Sequence, residues 1–363
     1  MMNSTIEQSG FGRLSDGRAA LLFCLRSPGG VCARITNYGA ALVSFLTPDR
    51  DGRVGETVLG YADAASYEAG TQYLGAIIGR YANRIAHAGF SLGDRRVDLV
   101  ANDHGHCLHG GTPSFDKVLW DALLTECVAG TARLRLGLRS ADGAGGFPGA
   151  LSVSATYSLD PAGRLGLKIS AESDGLTVIN CTSHSYFNLT GLPNRMDICG
   201  HVLQIMGSSY LPVTGTLIPT GEIRHVSGNP FDFREPTVIG SRIGAADDQL
   251  RIAGGYDHTW VMDEPAGVLA IRARLEDPAS GRTLAIWSTE PGLQFYSGNA
   301  LGRTTPHPQV PVFMHRAGLC LEPQRFPDSP NQRGFPSTLL EPGTEYAWES
   351  HFQPGTAPRR PPH

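Results

Sequence analysis

Residues 180–189 read N-C-T-S-H-S-Y-F-N-L. The residues just before them, Thr177, Val178 and Ile179, are β-branched and favour a strand. Thr182 continues the run, which then turns polar. Side chains alternate between the two faces of a strand, so His184 and Tyr186 fall on the same side. An imidazole presented from a rigid strand suits general acid/base work. A histidine in a sheet is also commonly a hydrogen-bonded core residue. Taken alone, His184 fits that plainer reading better. The rest of the chain has to decide.

Moving outward, the period stays at two. Leu134, Leu136 and Leu138 alternate with Arg133, Arg135 and Arg139. Leu151, Val153, Ala155, Tyr157 and Leu159 alternate with serines and a threonine. Leu165, Leu167, Ile169 and Ala171 follow the turn D-P-A-G at 160–163. Leu269, Ile271, Ala273 and Leu275 run into D-P-A-S-G, after which Leu284 and Ile286 return. This is the pattern of half-buried antiparallel strands joined by turns. With 45 glycines and 25 prolines as punctuation, long helices have little room. The expected fold is all-β, a large antiparallel β-sandwich, forming one domain over residues 11–352. The proline-rich tail, 353–363, is expected to be disordered.

The 363 residues carry a net charge of −4, with no basic stripe, so nucleic acid is not an expected partner. No apolar run approaches the ~20 residues that span a bilayer, and no signal-peptide pattern opens the chain. The seven cysteines are scattered without a C-x-x-C, which points to reduced thiols and a cytoplasmic location. Only Lys117 and Lys168 are lysines. Neither sits in an apolar run suited to Schiff-base chemistry.

Polar clusters interrupt the alternation, and loops on a rigid sheet are where sites are usually built. Glu322 follows the apolar residues Leu319 and Leu321. A carboxylate ending a buried strand is costly unless it is paired or used. An ion pair with Arg325 or Arg316 and a role as general base are the two readings. Arg84 offers a rigid fork of donors to hydroxyls, or a structural ion pair. His104, His106 and His109 form H-x-H-x-x-H, which matches no common zinc motif, and no metal is expected there. His109, between Leu108 and Gly110, is the member expected to face inward. Asp257 and Gln294 suit a polyhydroxylated ligand, although a turn aspartate and a surface glutamine are the plainer readings. No G-x-S-x-G elbow appears. Ser183 and Ser185 flank His184, but adjacent strand residues point to opposite faces, which argues against a serine–histidine dyad.

Seven ordered segments together resemble the aldose 1-epimerase (galactose mutarotase) family. They are N-Y-G-A (37–40), G-R-Y-A-N-R-I (79–85), L-H-G-G (108–111) with F-D-K-V-L-W (115–120), H-S-Y-F-N-L (184–189), G-G-Y-D-H (254–258), Q-F-Y-S-G-N (294–299) and L-E-P-Q-R-F-P-D-S-P-N (321–331). The resemblance implies a galactose-mutarotase-type sandwich that needs no cofactor and acts on a monosaccharide. It implies that His184 is the general acid and Glu322 the general base. It also implies that Asn83, Arg84, His109, Asp257 and Gln294 bind the sugar, with Tyr186 beside His184 on the same face. The neighbouring carboxylate is expected to raise the His184 pKa a little. Two positions depart from the family pattern, Ser183 in place of Asn and Ser114 in place of Gly. Both bear on substrate preference more than on activity. The alternatives are a mutarotase for a phosphorylated or sulfonated sugar and a sugar-binding sensor without chemistry. A lyase or hydrolase would need a second carboxylate partner or a metal cluster. The sequence does not indicate which aldose is used or the oligomeric state.

Overall fold

Alternation decides the layers. In the computed structural model, which describes residues 3–192, 194–302 and 310–359, three antiparallel sheets carry most of the chain. The longest has nine strands. Its first four in spatial order are Asp121–Val128, Thr131–Ser140, Leu151–Leu159 and Leu165–Ser173. Next come Tyr346–Thr356, Arg282–Ser288, Ala270–Glu276, Val202–Ile205 and Thr237–Val238. A six-stranded sheet holds Tyr186–Phe187, Leu319–Gln324, Gly292–Tyr296, Asp257–Val261, Ser209–Leu211 and Arg224–His225, in that order. A five-stranded N-terminal sheet runs sequentially from Thr5–Arg13 to Val54–Glu56. Among the described residues the α-helices are two, Ala64–Ala69 and Asp248–Ala253, of six residues each.

The leucines of the long sheet face inward as their spacing requires. Leu134, Leu136, Leu151, Leu159 and Leu165 are fully buried, and Arg133, Arg135 and Lys168 lie exposed on the other face. They share one core with Phe23 and Ile35 of the N-terminal sheet and Phe295, Leu319 and Leu321 of the six-stranded sheet. Joint burial of these faces is the main stabilising contribution, at ~25 cal/mol per Å² of apolar surface.

Three sequence expectations need correction. Leu269 and Ile271 were expected to face inward, yet both retain exposure. A register shift between Ile271 and Ala273 is the reason, because a bulge reverses which side chains point to the core. Arg272 takes the buried position and donates to the carbonyls of Ser288, Glu264, Pro265 and Val268. The first strand begins at Thr5, ahead of the expected boundary at 11. The last strand continues to Thr356, pairing Gln353–Thr356 with Arg282–Ala285, so the first part of the expected disordered tail is an ordered strand. Pro354 is tolerated there opposite Leu284. Residues 360–363 of that tail lie outside the described residues.

Candidate active site

The strand Leu319–Gln324 is buried on both faces. Leu319 and Leu321 enter the core, which sends Cys320 and Glu322 to the opposite side. Register then fixes their neighbours. Tyr186, Cys320, Tyr296 and Asp257 form one cross-strand row, and Glu322, Gln294 and Thr259 the next. Continuing the Tyr186–Cys320 register two residues places His184 opposite Glu322. The His184 backbone is pinned from both directions. Its N–H donates to the Ala76 carbonyl (2.9 Å), and its carbonyl accepts from Gly75 N–H (3.0 Å).

His184 Nε2 lies 3.9 Å from Glu322 Oε1, and His184 Nδ1 lies 3.4 Å from Cys320 Sγ. The rings of Tyr186 and Tyr73 lie near the imidazole, 5.0 and 5.8 Å away between centroids, each inclined by 29°. This pair sits in a cavity of about 520 Å³. Its lining includes Asn83, Arg84, His109, Tyr186, Asp257 and Gln294, so all eight residues singled out from the sequence meet at one place. A second hollow of about 430 Å³ lies against the outer face of the long sheet, lined by Arg274, Trp287 and Pro354 among others. Its lining contains no histidine and no acid/base pair.

The supporting contacts set side-chain orientations. His109 Nδ1 accepts from Asn83 N–H (3.1 Å), while His109 N–H donates to the Asn83 carbonyl (2.9 Å). That contact places the ring proton of neutral His109 on Nε2. Asn83 Oδ1 accepts from Arg84 N–H, closing a local turn. Arg84 Nε donates to Asp103 Oδ2 (2.7 Å), so the ion pair and the cavity position coexist. Thr259 Oγ1 donates to Gln294 Oε1 (2.5 Å), and Gln294 Nε2 donates to Asp257 Oδ1 (2.6 Å). This chain fixes which way the Gln294 amide faces.

Burial dominates the electrostatics. It pushes the His184 imidazole down to about 4, opposed by a backbone hydrogen bond. It raises the Glu322 carboxyl well above the usual carboxylate range, helped by the nearby Asp257. Asp257 is itself raised by burial, against the pull of Arg84 and Gln294. His109 is held well below the ordinary value by burial, then by His184 and Arg84. The expected upward shift of His184 is therefore reversed. Removing an imidazolium from water outweighs a carboxyl neighbour whose own ionisation burial opposes. Burial thus opposes charge on both members of the pair, favouring the neutral imidazole of His184 and the protonated carboxyl of Glu322.

The histidines of H-x-H-x-x-H diverge. His104 is exposed against Asp103, His106 contacts Thr216 and His87, and only His109 reaches the cavity. A different donor set is present. Ligand atoms of His184, Cys320 and Glu322 lie within 4.8 Å of one another, a set that could hold a thiophilic ion. Several recognised segments prove to be scaffolding. Lys117 of F-D-K donates to the carbonyls of Tyr67, Glu68 and Gly70 at the end of the first helix. Asp328 of the last segment donates its N–H to the Arg84 carbonyl and accepts from Ala86 N–H, locking the Asn83–Arg84 loop.

Sequence reasoning missed Gln72, Tyr73, Cys320, Tyr296 and Asn299. Cys320 and Tyr296 were within reach of alternation, two residues from Glu322 and Gln294. Tyr73 left no signal, because a loop with φ of 57° carries it to the site.

The aldose 1-epimerase family profile matches residues 22–353. A mouse protein named galactose mutarotase is 39% identical over 353 residues, covering 96% of this chain and 98% of its own. Aldose 1-epimerase of Escherichia coli K12 is 36% identical over 340 residues, covering 93% and 96%. The crystal structure of galactose 1-epimerase from Lactobacillus acidophilus superposes with a TM-score of 0.85 at 27% identity, covering 97% and 99%.

Proposed function

The chain belongs to the aldose 1-epimerase family, and on that premise we propose that it interconverts the α and β anomers of free aldoses, with Glu322 as base and His184 as acid. The observation that carries the assignment is the 3.9 Å approach of His184 Nε2 to Glu322 Oε1 in the cavity. The two oxygens that exchange protons in mutarotation are bonded to one carbon. Acid and base must therefore sit within a few ångström of each other, within hydrogen-bond reach of that carbon's substituents.

Glu322 takes the proton of the C1 hydroxyl while His184 protonates the ring oxygen. The C1–ring-oxygen bond breaks, the open-chain aldehyde rotates, and ring closure reverses both transfers. One titratable proton on the pair suffices. Its transfer from Glu322 to His184 readies both groups, and a sugar that donates to the carboxylate and accepts from the imidazolium favours that arrangement. His109 Nε2–H and the terminal nitrogens of Arg84 are assigned to sugar hydroxyls, and Asp257 and Gln294 to further hydroxyls. Tyr186 flanks the imidazole and packs against the sugar.

A neutral sugar is supported over a phosphorylated or sulfonated one. Among the described lining residues, Arg84 is the one cation, and Asp103 already neutralises it. A sensor without chemistry has no use for a buried carboxyl and imidazole placed face to face, since each costs free energy to bury. The strands from Thr5 to Thr356 are read as one catalytic unit, because the cavity draws on segments from Thr71 to Glu322. Seven free thiols support a reducing, cytoplasmic setting.

Polarimetry of freshly dissolved α-glucose, α-galactose, xylose and arabinose tests the reading. Equilibration faster than buffer for at least one sugar is expected. Buffer rates for all four would refute it.

A further inference from the structure

Two cysteines of the N-terminal sheet stand apart from the cavity, and neither lines it. Cys24 lies on the strand Ala19–Arg26 and Cys32 on its neighbour Cys32–Thr36. In register Cys24 faces Arg34 and Cys32 faces Arg26, so the cysteines occupy a diagonal of one antiparallel pair. Their Sγ atoms are 3.2 Å apart. That approach identifies one thiol as hydrogen-bonded to the other sulfur. Cys24 is half-buried and reachable from solvent, while Cys32 is 3% exposed.

We propose that Cys24 and Cys32 are an oxidisable dithiol, with Cys24 the thiol that attacks a hydroperoxide and Cys32 its resolving partner. Charge supports this division of roles. Hydrogen bonding from Cys32 brings the Cys24 thiol down to about 6, and the Arg26 and Arg34 guanidiniums add to the effect. Burial and Glu7, paired with Cys24 from the first strand, oppose it. Cys32 shifts upward, first through the same hydrogen bond and then through burial. A low-pKa, accessible thiol beside a second thiol is the arrangement that favours sulfenic acid formation and resolution.

The chemistry balances. The Cys24 thiolate attacks one peroxide oxygen. The S–O bond forms, the O–O bond breaks, and the departing hydroxide takes up a proton as water. The Cys32 sulfur then attacks the Cys24 sulfenic sulfur. The S–S bond forms, the S–O bond breaks, and a second water leaves with the Cys32 proton. Two thiols are oxidised to a disulfide and one hydroperoxide is reduced. The sulfurs need to close from 3.2 Å to about 2.05 Å, within reach of side-chain rotation. Mutarotation should be unaffected, because the cross-link joins strands that already pair.

The full chain is treated with a small excess of hydrogen peroxide, alkylated under denaturing conditions and digested with trypsin. Cleavage after Arg26 separates the peptides 19–26 and 27–34, so only a disulfide can hold them together. The expected product is that linked pair, lighter by two hydrogens than the separate peptides and split by dithiothreitol. Cys24→Ser should give no such product. Cys32→Ser should leave a sulfenic acid on Cys24 that a 1,3-diketone traps. Exposed Cys127, which contacts a backbone carbonyl and no second thiol, is the control within the chain. In wild-type protein, oxidation of Cys127 without the linked peptide would overturn the proposal. So would trapping of Cys32 in place of Cys24.

Discussion

Glu322→Gln should disable the enzyme and at the same time stabilise the fold. The residue is 2% exposed, and its carboxyl is raised by burial and then by Asp257. A carboxyl whose folded pKa exceeds its unfolded value contributes stability below the unfolded value, about 4.3, and loses it as pH rises through the folded one. Glutamine keeps the shape and cannot ionise. The two proteins should melt alike near pH 4 and diverge as pH rises, with the variant the more stable. The divergence has a ceiling of about 1.4 kcal/mol per pH unit above the unfolded pKa. A gain of a few degrees in Tm by pH 8 is the reasonable expectation for a chain of this size. Turnover should fall by about 10²–10⁴, the usual worth of one acid/base group and about 3–5 kcal/mol of barrier. Polarimetric rates and melting curves at pH 4.5, 6 and 8 read both effects. Wild-type turnover would remove Glu322 from the mechanism and make Asp257 the next candidate base. Reduced turnover with a Tm difference that does not change with pH would sink the argument about burial.

The kcat/KM profile should be bell-shaped, because one proton on the pair is the competent state. Its acid limb should lie near pH 4, where His184 takes a second proton, and its alkaline limb where Glu322 loses the first. A profile with a single limb contradicts the pair. Arg84→Lys keeps the charge and loses the fork, and should cost about 1–3 kcal/mol in kcat/KM. An unchanged kcat/KM with a lowered Tm would leave only the ion pair with Asp103. Cys320→Ala removes the group beside His184 Nδ1. It should lower kcat by about tenfold with KM unchanged, as for one lost hydrogen bond, and Cys320→Ser should recover most of the loss. Equal activity of the alanine and serine variants would show that the thiol does not orient the imidazole. Dialysis against a chelator and charcoal treatment should leave the rate unchanged. Activity restored by NAD or a divalent metal would refute acid/base ring opening.

The layers were legible because strand spacing is a local property. Leu134, Leu136, Leu151 and Leu165 point where period two sends them. The bulge at Ile271–Ala273 was not legible, since the residue it buries is Arg272, which no hydrophobic pattern marks. The site followed the same division. Glu322 stood out as a carboxylate in an apolar strand, and Gln294 and Asp257 in polar breaks of the pattern. That these groups share rows with Tyr186 and Cys320 depends on register between strands distant in sequence. Tyr73, Gln72 and Asn299 arrive on loops whose paths depend on tertiary contacts. The pKa of His184 was misjudged for a related reason. Exposure cannot be read from neighbouring letters, and here it outweighs the nearby charge.

The strand Leu319–Gln324 has a consequence for how such an enzyme can diverge. A one-residue slip would turn Leu321 into the cavity and Glu322 into the core, so selection for folding alone holds the base in place. The rim is under no such tie. Thr71, Gln72, Leu217, Ala253 and Ala300 border the cavity from outside the strands that carry Glu322, Gln294 and Asp257. Changes there can alter which sugar fits without moving the proton-transfer pair. Descendants of this chain should therefore vary in diet far sooner than in chemistry.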